Sequence, residues 1–130
     1  MRDKPLVLII DDEQYVRDMV NLKLSACGFE VREASSGREG IEKIKSLKPS
    51  LVLLDIEMPD INGIQALQEL RNEGEIDHTK IFLFTGKDNP RSDMVGMSQI
   101  MAKEEGAIDL IRKETDLDKI AEYLKNALKH

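Results

Sequence analysis

Leu51-Val-Leu-Leu-Asp-Ile-Glu-Met-Pro-Asp60 is the stretch of this 130-residue chain that decides its fold. Its first four residues form a continuous apolar run, which ends in acidic residues and a proline. Leu6-Val-Leu-Ile-Ile-Asp-Asp-Glu13 repeats this pattern near the N-terminus. Apolar runs of this kind are typical of parallel strands that helices cover on both faces. The two stretches therefore predict two buried strands of one sheet, each followed by carboxylates.

Strands and helices alternate along the rest of the chain. The five predicted strands are Leu6–Ile10, Phe29–Glu33, Leu51–Leu54, Ile81–Phe84 and Ala107–Ile111. Five stripes of apolar residues at helical spacing lie between and after them: Val16, Met19, Val20 and Cys27; Ile41, Ile44 and Leu47; Ile64, Leu67 and Leu70; Met94, Met97 and Met101; and Leu117, Ile120, Ala121, Leu124 and Leu128. This alternation predicts an α/β fold, with a doubly wound five-stranded parallel sheet of order 2-1-3-4-5 and five helices on its two faces.

Composition excludes several classes of protein. No apolar run approaches the roughly 20 residues that a membrane-spanning helix needs. The single cysteine cannot form an internal disulfide. With 19 basic and 25 acidic residues the net charge is −6, which disfavours direct binding of nucleic acid. We therefore expect a single cytoplasmic domain over residues 1–130, with no membrane insertion and no output domain in the chain.

Acidic residues follow the two central strands of the predicted sheet. Asp11, Asp12 and Glu13 come after the first strand, and Asp55 comes after the third. In a sheet of this order the carboxyl ends of these two strands flank the switch point, where ligands bind. Carboxylates gathered there repel one another unless a cation joins them, and oxygen ligands suit Mg²⁺ or Mn²⁺. A carboxylate can also attack a phosphoryl group and form an aspartyl phosphate.

Three residues at the ends of the last two strands suit phosphoryl chemistry. Thr85 ends the fourth strand, where its hydroxyl could donate to a phosphoryl oxygen. Lys113 follows the fifth strand, and its ammonium could pair with the same group as a point charge. Gly86 carries no side chain that would block the pocket or its own backbone N–H.

Together these residues resemble the receiver domains of two-component response regulators, whose chemotaxis members are a known example of this strand order. The resemblance covers essentially the whole chain, and the residues that carry it are Asp11-Asp12, Asp55-Ile-Glu-Met-Pro59 with Gly63, Thr85-Gly86 and Gly106-Ala-Ile-Asp-Leu-Ile-Arg-Lys113. It implies that Asp55 is the phosphoacceptor. It also implies that Asp12, Asp55 and the backbone carbonyl of Glu57 ligate the metal directly, while Asp11 acts mainly through bound water.

The resemblance extends to the remaining site residues and to partners. Lys113 would pair with the phosphoryl group, the backbone of Glu57 and Gly86 would contact it, and Thr85 would move toward it as the switch. The phosphoryl donor would be a phosphohistidine on a sensor histidine kinase or a phosphotransfer protein. The signal would pass by protein contacts to a downstream target or a fused output domain. Such a protein is a signalling domain with self-phosphotransfer and autodephosphorylation, not an enzyme acting on a separate substrate.

Several residues depart from the family pattern. Glu114 stands where the family has a proline after a cis bond, so we expect a trans Lys113–Glu114 bond. Leu110 replaces the usual switching aromatic, so signalling would use its packing against the fourth helix. The segment between Thr85 and Gly106 is about six residues longer than usual by this resemblance, and its methionine stripe is either core or an adaptable partner surface formed by Met94, Met97 and Met101. Glu57 and Lys87 stand where they could form an ion pair across the pocket, and such a pair would predict a long-lived phosphoryl group.

Other interpretations compete with a working receiver. Asp11 could be a helix N-cap that forms a capping box with Gln14, and Asp55 could be a simple turn residue. A Mg²⁺-dependent phosphohydrolase of the haloacid dehalogenase type would carry its aspartate after the first strand, not at Asp55. A flavodoxin is excluded because Asp11-Asp12-Glu13 would repel the cofactor phosphate. The serious alternative is a degenerate receiver that serves only as an unphosphorylated interaction module.

Overall fold

A computed structural model describes residues 4–86, 103–104 and 106–129 of the chain. The elements in these residues are β1 (Leu6–Ile10), α1 (Gln14–Ala26), β2 (Glu30–Ala34), α2 (Gly37–Leu47), β3 (Leu51–Asp55), α3 (Gly63–Asn72), a 3-10 turn (Glu75–Asp77), β4 (Lys80–Thr85), β5 (Asp109–Arg112) and α4 (Leu117–Leu128). The helix α4 is the fifth predicted from the sequence. The predicted fourth helix, with Met94, Met97 and Met101, lies outside the described residues.

The five strands form one parallel sheet of order β2-β1-β3-β4-β5. This order confirms the doubly wound α/β fold that the sequence predicts. In the register of the central strands, Ile10 lies beside Leu54, and Asp55 lies beside Phe84. The carboxyl ends of β1 and β3 are therefore neighbours, and the residues that follow them share one edge of the sheet.

Side chains alternate between the two faces of the sheet, and each face has its own core. Leu8 and Ile10 of β1 pack in a cluster that includes the apolar residues of α2 and α3. Val7 and Ile9 pack in a second cluster with those of α1 and α4. Each fully buried leucine or isoleucine contributes about 1.5–3 kcal/mol to folding. Among the described residues, no helix is long and apolar enough to cross a bilayer.

Local signals in the sequence explain where the helices begin and end. The side chain of Asn62 accepts a hydrogen bond from the backbone N–H of Gln65, whose side chain accepts from Asn62 in return, and this capping box starts α3. Helix α1 ends before Gly28, which adopts a positive φ of 98° that glycine tolerates best.

Several details differ from the sequence-based expectations, and three of them affect the core or the sheet edges. Strand β2 begins at Glu30, because the Phe29 N–H donates to Leu24 at the end of α1 and does not enter the sheet. Strand β5 begins two residues later than expected, at Asp109. Met19 is 39% exposed, although it was expected on the buried stripe of α1, and Leu24 fills the core in its place.

Candidate functional site

Three carboxylates lie together where β1 and β3 end. Asp11 and Asp55 are buried, with 0% and 4% of their surface exposed, whereas Asp12 is exposed. Each residue offers a carboxylate oxygen within 4.8 Å of the others. The strand ends thus bring the predicted acidic residues together from positions more than 40 residues apart in the chain.

Backbone turns hold the two buried carboxylates in place. Oδ1 of Asp11 accepts a hydrogen bond from the N–H of Glu13 at 2.9 Å, and Oδ1 of Asp55 accepts from the N–H of Glu57 at 3.2 Å. Helix α1 begins only at Gln14, with Glu13 at the N-cap and no side-chain cap. The capping box of Asp11 with Gln14 is therefore wrong, because the Asp11 carboxylate closes a turn before the helix starts.

The loop after β3 is closed tightly against the strand. The N–H of Gly63 donates to the carbonyl of Ile56 at 2.7 Å. A Cβ atom at Gly63 would lie 2.6 Å from the Asp55 carbonyl oxygen and 2.9 Å from Cα of Ile56. Only glycine fits there without displacing backbone, which explains its place in the motif and fixes the loop that carries Glu57.

Lys113 supplies the positive charge that faces these carboxylates. Its Nζ lies 2.6 Å from Oδ2 of Asp11, 3.5 Å from Oδ2 of Asp55 and 3.6 Å from Oε1 of Glu13. Burial lowers the pKa of Lys113, but the contact with Asp11 and the neighbouring charges outweigh it and hold that pKa above 10.5. The described residues contain no cis peptide bond, so the Lys113–Glu114 bond is trans, as expected.

Burial and crowding of like charges change the titration of Asp55. Burial is the main cause that raises its pKa from 3.8 to about 7, and the negative charge of Asp11 adds to it. The ammonium of Lys113 and the Glu57 N–H oppose this rise without cancelling it. Among the residues that the structure describes, one ammonium thus serves two buried carboxylates, which leaves an excess of negative charge in this group.

The carboxylates also fit a divalent cation. Oδ2 of Asp11 is buried and accepts no hydrogen bond of acceptable angle among the described residues, although the Lys113 ammonium lies close to it. Together with Asp12 and Asp55 it forms a set of hard oxygen donors, which is the kind that Mg²⁺ and Mn²⁺ prefer. Asp12 is open to solvent, so an ion could reach the group with part of its hydration shell.

Thr85 and Gly86 lie next to Lys113 at the end of β4. Thr85 is buried, and its carbonyl accepts a hydrogen bond from the N–H of Lys113 at 2.8 Å. A Cβ atom at Gly86 would lie 3.7 Å from Cδ of Lys113, which is an ordinary contact distance. Space alone therefore does not require glycine at this position, and a methyl group would fit.

The residues predicted to transmit a signal are only partly described. Leu110 is buried and packs in the cluster of α2 and α3. Met94, Met97 and Met101 lie outside the described residues, and so does Lys87, the expected ion-pair partner of Glu57.

The roles of two supporting residues, Arg17 and Asp60, were not predicted from the sequence. Arg17 of α1 donates from Nη1 to the carbonyl of Asp11 at 2.6 Å. Asp60 accepts hydrogen bonds from the N–H groups of Gly37 and Arg38 at 3.1 and 2.9 Å, and so ties the loop after β3 to the start of α2. Burial raises the pKa of Asp60, but these bonds outweigh it and the pKa is lowered. The sequence did carry a signal for Arg17. It lies three residues before Val20, so helical spacing places this charged residue on the inward face of α1.

An apolar groove opens beside Lys113 between α1 and the start of α4. Its volume is about 470 Å³, and its lining includes Tyr15, Val16, Met19 and Leu117. Tyr15 is 72% exposed. The groove leads from the protein surface to the charged residues at the edge of the sheet.

Comparison with known proteins shows which family the chain belongs to. The chain matches the model of the response regulator receiver domain over residues 7–125. The chemotaxis protein CheY of Bacillus subtilis is 33% identical over 123 residues, which are 94% of this chain and 96% of that protein. The chemotaxis protein CheY of Thermotoga maritima is 48% identical over 65 residues, or 49% of this chain and 54% of that protein.

Other relatives are longer than the region they share with this chain. The regulatory protein AtoC of Escherichia coli is 33% identical over 122 residues, which are 94% of this chain but 25% of AtoC. The chain thus spans about half the length, or less, of several curated relatives it matches. A receiver domain protein of Clostridium thermocellum has a solved structure with a TM-score of 0.82 at 27% identity, covering 96% of this chain and 94% of that one. By the extent of the family match, this chain belongs to the receiver domains of two-component response regulators.

Proposed function

We propose that this receiver accepts a phosphoryl group on Asp55 from a phosphohistidine of a sensor histidine kinase or phosphotransfer protein. The observation that carries the proposal is the placement of buried Asp55 within 4.8 Å of Asp11 and Asp12, with the Lys113 ammonium 3.5 Å from its Oδ2. In this arrangement Asp55 can act as the nucleophile, the three carboxylates can hold a cation, and the Lys113 ammonium supplies a counter-charge. The proposed domain spans residues 1–130 and acts in the cytoplasm.

Transfer requires an ionised Asp55. One carboxylate oxygen of Asp55 attacks phosphorus, the P–N bond of the phosphohistidine breaks, and its electron pair stays on the imidazole nitrogen. The product is an acyl phosphate on Asp55. Asp11, Asp12, Asp55 and the backbone carbonyl of Glu57 would hold Mg²⁺ or Mn²⁺, with Asp11 acting mainly through water. When bound, the metal neutralises charge on the transferring phosphoryl oxygens.

The remaining residues stabilise and report the phosphoryl group. The Lys113 ammonium pairs with a phosphoryl oxygen, and the N–H groups of Glu57 and Gly86 donate to others. The Thr85 hydroxyl moves toward the phosphoryl group and serves as the switch. Because the carbonyl of Thr85 accepts from the Lys113 N–H, the two residues can respond together.

Partners would approach two different parts of the surface. The exposed face of α1 and the groove beside Lys113 suit the phosphodonor, because they open directly at the acidic edge of the sheet. The signal would leave through Leu110, Met94, Met97 and Met101 to a downstream protein or a fused output domain. Packing of Leu110 takes the place of an aromatic switch.

Intact-mass spectrometry after incubation with acetyl phosphate tests the proposal. We expect one added phosphoryl group that requires Mg²⁺ and is lost in Asp55→Ala. The matched control is Asp77→Ala, which removes an exposed aspartate from the 3-10 turn and is expected to leave phosphorylation intact. If acetyl phosphate and a panel of phosphohistidine donors all fail to modify the wild-type chain, the chain is an unphosphorylated interaction module instead.

A further inference from the structure

Arg17 connects the loop that carries Asp11 and Asp12 to the end of β2. Its Nη1 donates to the backbone carbonyl of Asp11 at 2.6 Å, and its Nε donates to Oε1 of Glu33 at 3.1 Å. The Arg17 side chain is 13% exposed. A guanidinium held at both ends in this way is fixed in position, since both of its contacts are charge-assisted hydrogen bonds.

Glu33 is itself held by further contacts. Its second carboxylate oxygen accepts from the side-chain amide of Asn21 at 2.8 Å, and its carbonyl accepts from Nζ of Lys43 at 2.5 Å. The next carbonyl along β2, that of Ala34, accepts from the N–H of Asp11 at 3.1 Å. The end of β2 therefore fixes the peptide groups on both sides of Asp11, one directly and the other through Arg17.

The peptide group that Arg17 holds is the one that joins Asp11 to Asp12. The orientation of this group sets the direction in which the Asp12 side chain leaves the backbone. Within the described part of the chain, no hydrogen bond or ion pair holds the Asp12 carboxylate. Its position relative to Asp55 consequently depends on the backbone, which Arg17 holds at the Asp11 carbonyl.

We propose that Arg17, supported by Glu33, is a positioning residue that sets the affinity of the site for Mg²⁺ through the Asp11–Asp12 peptide group. The inference rests on the proposed metal site. The predicted change in Mg²⁺ affinity is opposite to the one that charge alone would give, because a nearby positive charge by itself repels a cation. Removal of the Arg17 charge would tighten Mg²⁺ binding if electrostatics alone mattered, whereas loss of positioning weakens it.

Mg²⁺ titration of the full chain by isothermal calorimetry distinguishes these effects. We expect Arg17→Met to weaken Mg²⁺ binding by about tenfold, in the range found when a residue that holds a metal ligand in place is removed. Arg32→Met is the matched control, since Arg32 lies on the same strand as Glu33 with an exposed side chain and only a 3.4 Å contact to Glu30. We expect this control to bind Mg²⁺ like the wild type or slightly more tightly.

Two further variants keep the test decisive if Arg17→Met does not fold. Arg17→Lys keeps the charge but lacks the planar guanidinium that joins the two partners, and Glu33→Gln keeps the shape while weakening the anchor of Arg17. Each is expected to weaken Mg²⁺ binding in the same direction as Arg17→Met but by a smaller factor, with near-native thermal unfolding. Affinities equal to that of Arg32→Met in all three variants would overturn this inference alone. Failure of the wild-type chain to bind Mg²⁺ would overturn the proposed metal site and the inference with it.

Discussion

Carboxylates lie close to cationic side chains in two regions of this molecule, and a comparison of the two shows how burial changes the interaction between these groups. One region is the acidic site of Asp11, Asp12, Asp55 and Lys113 at the carboxyl edge of the sheet. The other, here called the α2–α3 ladder, is a row of ion pairs that join α2 and the residue after it to α3 and the residues beyond: Arg38–Glu69 at 2.9 Å, Lys45–Glu73 at 2.6 Å and Lys48–Glu75 at 2.7 Å.

The two regions differ in how many cations each carboxylate has. In the α2–α3 ladder each carboxylate has its own cation, and the cationic side chains are 35–63% exposed. At the acidic site, Asp11 and Asp55 share the ammonium of Lys113, which is 14% exposed. Pairs in water add about 0–1 kcal/mol each. Buried carboxylates without enough counter-charge instead retain a demand for a cation, which suits them to a divalent metal ion.

Removal of the shared ammonium should give the largest effect. We expect Lys113→Met to lower the free energy of unfolding by about 2–3 kcal/mol in EDTA at pH 7.5, because it removes the ammonium that two buried carboxylates share in the described part of the chain. Protonation of Asp55 limits the loss, since its pKa already lies at about 7. Urea denaturation followed by circular dichroism provides the measurement.

Lys48→Met is the control for this comparison. Lys48 belongs to the α2–α3 ladder and its side chain is 51% exposed, so we expect its loss to cost less than about 1 kcal/mol. Equal losses in Lys48→Met and Lys113→Met would show that burial does not separate the two regions.

Removal of a buried carboxylate should have the opposite sign. The pKa of Asp55 is raised from 3.8 to about 7, so the folded chain holds this proton more tightly than the unfolded chain does. The stability gained from that proton is complete below pH 3.8 and is lost as pH rises through about 7. Asp55→Asn should therefore be more stable than the wild type at pH 8 in EDTA, by about 1–3 kcal/mol out of an upper bound of about 4.

The pH dependence of this difference is the decisive observation. Urea denaturation of both proteins between pH 4 and pH 8 should show an advantage of Asp55→Asn that grows up to about pH 7 and is constant above it. A difference that does not change with pH would mean that the Asp55 charge is not what destabilises the wild type.

The sequence predicts some parts of this molecule and not others, and the reason is physical. Apolar runs and the acidic residues after them predict the sheet and the meeting of Asp11 with Asp55, because strand ends of a parallel sheet share an edge. The role of Arg17 was missed, since its partner Glu33 lies on another element and only packing brings them together. The prediction that Met19 is buried is wrong. Helical spacing predicts the direction in which an apolar stripe faces but not how much of the helix surface it covers, and Leu24 faces the core.

The smallest effect is expected in the α2–α3 ladder and is best measured as a coupling. Nη1 of Arg38 donates to both carboxylate oxygens of Glu69, at 3.1 and 2.9 Å, but the side chain of Arg38 is 63% exposed. A double-mutant cycle of Arg38→Met and Glu69→Gln, followed by urea denaturation, should give a coupling of about 0.2–1 kcal/mol at low salt.

Salt separates this pair from the buried cluster. At about 1 M NaCl the Debye length falls to about 3 Å, so the coupling between Arg38 and Glu69 should nearly vanish. The cost of Lys113→Met should persist at the same salt concentration, because buried charges are screened much less. If high salt abolished both effects, the acidic site would be as open to solvent as the ladder, and its demand for a cation would no longer follow from burial.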